Sequence, residues 1–328
     1  MRVLLTGGNG FIGSHILDCL RAEDHRVRLL LRKTSDTAFI EEHLPEVEVH
    51  YGSLLDADSL TEAAAGVECI IHCAGKTKAI DPEDYYRVNR DGTAHMVEAA
   101  NRHRPAVRQF IHISSRAVNG PATAEDPAHE DDEPAPLSDY GRSKMEAERE
   151  VTDGCEVPWT VLRPSGVYGP RDTDFLGAFR AIRRHILPLF DGGNQSLNLV
   201  YGRDVAAATM RCLGEQKARN RIYNVASPRI YTTRDFLQDI AEVMGEWTLE
   251  VRMPSAALYP ICLLHEWASH LTGRACILNR QKYKELRAPG WACSVERIRE
   301  DLDFVCPTPL EEGIRATLEW YRREGWLS

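Results

Sequence analysis

A glycine-rich turn near the start of the chain constrains its fold more than any other feature. Thr6-Gly7-Gly8-Asn9-Gly10-Phe11-Ile12-Gly13 directly follows an apolar run, Arg2 to Thr6, and opens an amphipathic pattern from Phe11 to Ala22. Gly8, Gly10 and Gly13 fit G-x-G-x-x-G, and Gly7, Gly10 and Gly13 fit a second spacing. A diphosphate docks on free backbone N–H groups at the positive end of a helix dipole, and side chains at these positions would hold it away. The pattern alone is weak. At the end of the first strand of a β-α-β series it reads as a dinucleotide-binding turn.

That series is visible along the first half. Short apolar runs at Arg2 to Thr6, Arg26 to Leu31, Val47 to His50, Glu68 to Cys73, Val107 to Ile113 and Trp159 to Leu162 alternate with helical stretches at Phe11 to Ala22, Asp56 to Ala65, Asp84 to His103 and Ser138 to Thr152. Strands alternating with helices predict an α/β fold with a doubly wound parallel sheet. Beyond Pro164 the regularity weakens into a Gly-rich turn at Asp191 to Asn194, a helix from Arg203 to Leu213, a strand at Arg221 to Val225 and a mainly helical remainder. Residues 1–165, with 197–227 returning to them, are expected to form the dinucleotide-binding domain, and 166–328 mainly a smaller, helical substrate-binding domain. The acid- and proline-rich stretch from Thr123 to Pro136 is expected to be a solvated surface loop.

Charge and composition remove other classes. With 40 Lys plus Arg against 49 Asp plus Glu the formal charge is −9, so no basic face for nucleic acid is apparent. No apolar run approaches the roughly 18 to 20 residues of a membrane-spanning helix. The start resembles no signal peptide, and nine irregularly spaced cysteines without a C-x-x-C pair suit a reducing compartment, so a cytoplasmic protein without disulfides is expected. The histidines of His265-Glu266-Trp267-Ala268-Ser269-His270 lie five apart, off a common helix face, and Cys69 and Cys73 lack partners, so no metal site is expected.

Two constellations carry chemistry. The second strand ends at Leu31-Arg32-Lys33, where an acid would bind the ribose 2′-hydroxyl of NAD; Arg32, with Lys33 beside it, suits a 2′-phosphate instead, so NADP is preferred over NAD, with a solvated surface arginine as the alternative. Tyr140 and Lys144, four apart on one helix face, pair a phenol with an ammonium expected to lower its pKa. Ser115, just beyond the fifth strand, stands at the edge that faces the ligand crevice of a doubly wound sheet.

Together with Val88-Asn89-Arg90-Asp91-Gly92-Thr93 and Leu162-Arg163-Pro164-Ser165-Gly166-Val167-Tyr168-Gly169-Pro170, these motifs resemble the extended short-chain dehydrogenase/reductases over nearly the whole chain. The resemblance implies a catalytic triad of Ser115, Tyr140 and Lys144. It implies cofactor contacts from Gly7, Gly8, Asn9, Gly10, Phe11, Ile12 and Gly13, from Arg32 and Lys33, and from Ala74, Asn89, Tyr140, Lys144 and Pro164. It further implies a homodimer formed through the helices bearing Asn89 and Tyr140. An intact Tyr/Lys pair disfavours a cofactor-sensing regulator.

Departures narrow the reaction. Arg116 and Ala117 stand where dehydratases of this kind carry acids, and Leu197 stands where nucleotide-sugar epimerases carry a diphosphate-binding arginine. The segment from Asn194 to Val205 looks more like that of 3β-hydroxysteroid dehydrogenases and dihydroflavonol-reductase-like proteins. An alcohol/ketone interconversion on a bulky, largely apolar substrate is therefore expected, with a sugar epimerase as the alternative. Trp247, Leu258, Tyr259, Leu263, Leu264, Trp267, Leu271 and Trp291 would either serve such a substrate or form the core of the small domain.

Overall fold

The computed structural model describes residues 1–272 and 279–327, with the side chains of 270 and 271 left aside. Its first half runs β1 (Arg2–Thr6), α1 (Phe11–Ala22), β2 (Arg26–Leu31), β3 (Glu48–Tyr51), α2 (Ala57–Ala64), β4 (Cys69–His72), α3 (Glu83–Tyr85), α4 (Gly92–Arg102), β5 (Gln109–Ile113), α5 (Asp139–Gly154) and β6 (Trp159–Pro164). The second half runs β7 (Gly166–Tyr168), α6 (Leu176–Arg183), β8 (Ile186–Phe190), β9 (Ser196–Tyr201), α7 (Gly202–Cys212), β10 (Arg221–Val225), β11 (Ile230–Thr232), α8 (Thr233–Met244), β12 (Leu249–Met253), α9 (Leu258–Thr272), α10 (Arg280–Leu286), β13 (Gly290–Trp291), α11 (Glu296–Leu302) and α12 (Leu310–Arg323).

Seven strands pair in parallel in the order β10-β6-β5-β4-β1-β2-β3, a doubly wound sheet whose order reverses between β1 and β4. Its central strands β1, β4, β5 and β6 are buried on both faces, as helix-covered parallel strands must be, while the edge strand β3 is not. Alternate residues of β1 explain the two layers: Val3 and Leu5 join Ile16, Leu17 and Leu20 of α1 and Val205 of α7 in one cluster. Leu4 faces the other way, onto Leu60 of α2, Met96 of α4 and Val151 of α5. A separate cluster, with Phe179, Leu189, Phe236, Ile240, Ile314 and Tyr321 among its members, lies under β7 to β9 and α12.

Three sequence expectations need correction. The helix expected from Asp84 to His103 is interrupted: α3 gives way to a π-helical turn at Tyr86–Asp91 before α4. The acidic stretch is a loop but not a fully solvated one, because Glu130 turns inward, buried, and its Oε1 accepts the Asn224 backbone N–H at 2.9 Å. Trp247, Tyr259, Leu263, Leu264 and Trp267 are exposed and do not build the small-domain core; Leu258 is buried, Trp291 half-buried, and Leu271 lies outside the described side chains.

The sheet also buries two histidines, of which His72 has both ring nitrogens partnered and His112 only Nε2. His72 and His112 are register neighbours on β4 and β5, with rings 5.4 Å apart. The Ala74 N–H donates to Thr6 Oγ1 (3.2 Å), Thr6 donates to His72 Nδ1 (2.8 Å), His72 Nε2–H donates to Thr93 Oγ1 (3.1 Å), and Thr93 donates to the Asn89 carbonyl (2.5 Å). This direction of donation fixes the His72 tautomer as neutral.

Burial pushes the His72 imidazole down to about 3 and that of His112 well below its ordinary value. Between the ordinary 6.5 and the folded value the unfolded chain binds more protons, so stability is present near neutral pH and is lost on acidification. At pH 5 the cost from His72 is about 2 kcal/mol. The urea midpoint is therefore expected to fall between neutral pH and pH 5, and to fall less steeply in His112→Gln, which has one buried imidazole fewer to protonate; equal slopes would refute this assignment.

Candidate active site

The turn after β1 is built by close backbone approach. Gly7 has φ +70°, and a Cβ there would lie 2.6 Å from the Ala74 amide nitrogen at the end of β4. A Cβ on Gly13 would meet the Gly7 carbonyl oxygen at 2.0 Å, which no side chain can do. The Gly10 N–H closes the turn on the Gly7 carbonyl at 3.0 Å. Gly10 then caps α1 without a side chain, and the first turn holds no acid, so its N-terminal amides carry neither a capping oxygen nor a competing negative charge. Phe11 and Ile12 supply the next two amides, and the turn lies at the β1/β4 switch point, where the doubly wound fold takes its ligand. These residues fit a dinucleotide diphosphate.

Asn9 ties this turn to the end of β2, its Nδ2 donating to the Asp36 carbonyl at 2.9 Å. Arg32 and Lys33 are exposed there, and neither forms an ion pair among the described residues. The Asp36 carboxylate is engaged with the Ala38 N–H at 3.0 Å. Both cations are thus left without an ion-pair partner among the described residues at the end of β2.

Ser138 caps α5, accepting the Gly141 N–H, and so sets the rotation at which Tyr140 and Lys144 emerge. Ser115 follows β5 and caps a short 3-10 turn through the Ala117 N–H at 3.2 Å. The Ser115 hydroxyl lowers the pKa of the Tyr140 phenol, an influence that associates the two oxygens expected to share a substrate atom. Lys144 is buried, and its Nζ donates to the Ile113 carbonyl at 2.8 Å and to His112 Nε2 at 3.4 Å.

The electrostatics differ from the sequence expectation. Burial is the largest influence on Tyr140 and pushes the phenol up to about 12, against the smaller downward pull of Ser115; Lys144 is not among its leading influences. Burial also pushes the Lys144 ammonium down to about 8. The phenol is thus a retained proton donor at neutral pH, and the lysine a partly desolvated cation. Both states are set by removal from water before they are set by each other.

Asn89 sits in the π-turn, buried, where it satisfies both backbone polar groups of Lys76: its Oδ1 accepts the Lys76 N–H at 2.7 Å, and its Nδ2 donates to the Lys76 carbonyl at 3.0 Å and to Ser143 Oγ at 2.9 Å. Ser143 donates in turn to the Tyr140 carbonyl at 2.8 Å. The asparagine therefore couples the loop after β4 to α5. Ala74 lies on that loop, directly against Gly7, and Pro164 is buried at the end of β6.

Sequence reasoning missed His112, His72 and Gly75. A Cβ on Gly75 would lie 3.2 Å from Asn89 Oδ1 and 4.0 Å from Lys144 Nζ. The available signal was a histidine inside each of two apolar strands, Cys69-Ile70-Ile71-His72 and Phe110-Ile111-His112-Ile113. Arg116 is buried and structural, with Nη2 donating to the Ala292 carbonyl at 2.7 Å and Nη1 to the Gly120 carbonyl at 2.7 Å. Leu197 lies on β9, half-buried against the second core, and offers no cation. Among the described residues, Asp18, Glu42 and His43 group as metal ligands would, but Arg171 and His43 already hold Asp18 at 2.8 and 2.9 Å.

Comparison with known proteins identifies the family. The model of the NAD-dependent epimerase/dehydratase family matches residues 3–226. A ceramide reductase of Caulobacter vibrioides is 30% identical over 99% of this chain and 96% of its own length. A UDP-glucose 4-epimerase of Vibrio cholerae is 24% identical over 97% and 94%. The fold superposes on the UDP-glucose 4-epimerase of Thermotoga maritima, solved with UDP-glucose, with a TM-score of 0.80 at 22% identity over 99% of both chains. The chain belongs to the NAD-dependent epimerase/dehydratase family and is an enzyme of the extended short-chain dehydrogenase/reductase type.

Proposed function

We propose that this enzyme interconverts a ketone and a secondary alcohol on a bulky, largely apolar substrate, using NADP in preference to NAD. The observation that carries this reading is the half-buried Tyr140 phenol, kept protonated at neutral pH by desolvation, on the same helix as the buried Lys144. Gly7 to Gly13 would hold the diphosphate, Arg32 and Lys33 a 2′-phosphate, and Ala74, Asn89 and Pro164 the walls of the cofactor groove. When bound, the reduced cofactor supplies a hydride. Ser115 then fixes the substrate carbonyl oxygen, and Tyr140 donates its proton to that oxygen as negative charge develops there. Lys144 would stabilise the phenolate left behind and would hold the nicotinamide ribose. His112, kept neutral by burial, accepts from Lys144 and helps fix its position.

Residues 1–165 with 197–227 act as the dinucleotide-binding domain, and 166–328 mainly as the substrate-binding domain. The ceramide reductase relative supports a lipid-like ketone, and Leu197 and the buried Arg116 weigh against nucleotide-sugar and dehydratase chemistry. The Vibrio cholerae relative favours the second reading, a sugar epimerase that oxidises and re-reduces one centre. A cytoplasmic homodimer through the π-turn/α4 region and α5 completes the proposal.

A panel of long-chain and sterol-like ketones is expected to give net NADPH consumption. Tyr140→Phe should lower that rate by roughly 10² to 10⁴ with cofactor binding retained. Turnover of a UDP-sugar without net redox would establish the epimerase instead. Arg32→Ala should raise the KM for NADPH by about 10- to 100-fold and leave that for NADH nearly unchanged, the worth of one charged contact to a phosphate; equal effects on both would remove the 2′-phosphate assignment. Sedimentation at micromolar concentration should show a dimer, and monomer alone would discard that part.

A further inference from the structure

α9 is amphipathic in the wrong sense for a helix on a water-exposed surface. Pro260, Leu264 and Trp267 follow at i, i+4 and i+7, on one stripe, with Ile261 and Leu263 on its flanks. All five face solvent, Leu264 at 66% and Trp267 at 65% exposure. The opposite face, at Leu258, Cys262 and Ser269, is the one buried against the protein. A surface helix normally turns its polar side outward, and a contiguous outward apolar stripe marks an interaction surface.

The neighbouring helix indicates what covers it. Between Asn279 and Arg287 the chain carries Arg280, Lys282, Lys284 and Arg287 against Glu285 alone, a local excess of cations in a protein of net charge −9. Arg280 is forked onto Glu266 of α9, with Nη2–Oε1 at 2.9 Å and Nε–Oε2 at 3.0 Å, and the Tyr259 and Tyr283 rings meet at 5.1 Å. The cationic helix is thus fixed beside the apolar one, with Lys284 and Arg287 exposed. An apolar face bearing Trp and Leu, flanked by Lys and Arg, complements a bilayer surface with anionic headgroups. A second copy of the chain would bring like charges together at the same stripe.

We propose that α9 and α10 form a docking surface for an anionic lipid bilayer, placed to pass an apolar substrate to the catalytic tyrosine. α10 reaches the site directly: the Asp139 N–H donates to Gln281 Oε1 and Gln281 Nε2 donates to Asp139 Oδ2, both at 2.6 Å, one residue before Tyr140. Glu285 of α10 is among the charges acting on the Tyr140 phenol. The delivery role rests on the reductase reading; the docking itself does not.

Flotation of the whole protein with vesicles of phosphatidylcholine plus phosphatidylglycerol, and of phosphatidylcholine alone, tests it. Binding should be at least about tenfold tighter to the anionic vesicles, since each cation near such a surface is worth about fivefold. Leu264→Glu/Trp267→Glu should abolish flotation while leaving turnover of a short, water-soluble ketone unchanged, which also shows that the variant is folded. Absence of flotation, flotation indifferent to the double substitution, or a concentration-dependent dimer lost in that variant would overturn the proposal. Flotation without turnover of any ketone would leave the docking surface standing and remove the reductase reading.

Discussion

The chain of hydrogen bonds from Ala74 through Thr6, His72 and Thr93 to Asn89 is the constraint on which the site depends. It runs through the driest part of the sheet, where an unpaired polar group is costly and a fully paired one is rigid. At one end it sets the spacing between the ends of β1 and β4, across which Gly7 and Ala74 approach. At the other it fixes the π-turn that aims Asn89 at the loop after β4 and at Ser143. The glycine turn after β1 and helix α5 are therefore parts of one polar framework.

Dryness also decides the chemistry of Tyr140 and Lys144. A phenol beside an ammonium in water would be pulled toward phenolate. Here desolvation is the largest influence on each, raising the phenol and lowering the ammonium, and neither group is among the leading influences on the other. The pair rests as a neutral acid and a weakened cation, and its mutual attraction grows only when the phenol gives up its proton. That is differential stabilisation of a charge-separated state.

Much of this was legible in the residues. The sheet follows from alternating periodicities and the turn from glycines whose missing Cβ atoms are sterically required. Tyr140 and Lys144 follow from a four-residue spacing on a helix whose cap, Ser138, is also visible. What was not legible depends on tertiary neighbours. Nothing local announces that the helix before α4 takes an extra residue in one turn, or that Glu130 folds inward onto the Asn224 amide. The apolar residues of α9 were read as core or substrate lining because composition cannot tell which side of a helix meets protein. Here the buried side is the one with the smaller and more polar residues.

Arg116 has an evolutionary consequence. At the position where related dehydratases carry an acid, this guanidinium clamps the loop after Ser115 to Ala292, far along the chain. Exchanging it for a carboxylate would remove buried donors from two carbonyls and set a negative charge against them. Exchange at that position would therefore pass through a variant whose loop after Ser115 has lost its tie to Ala292.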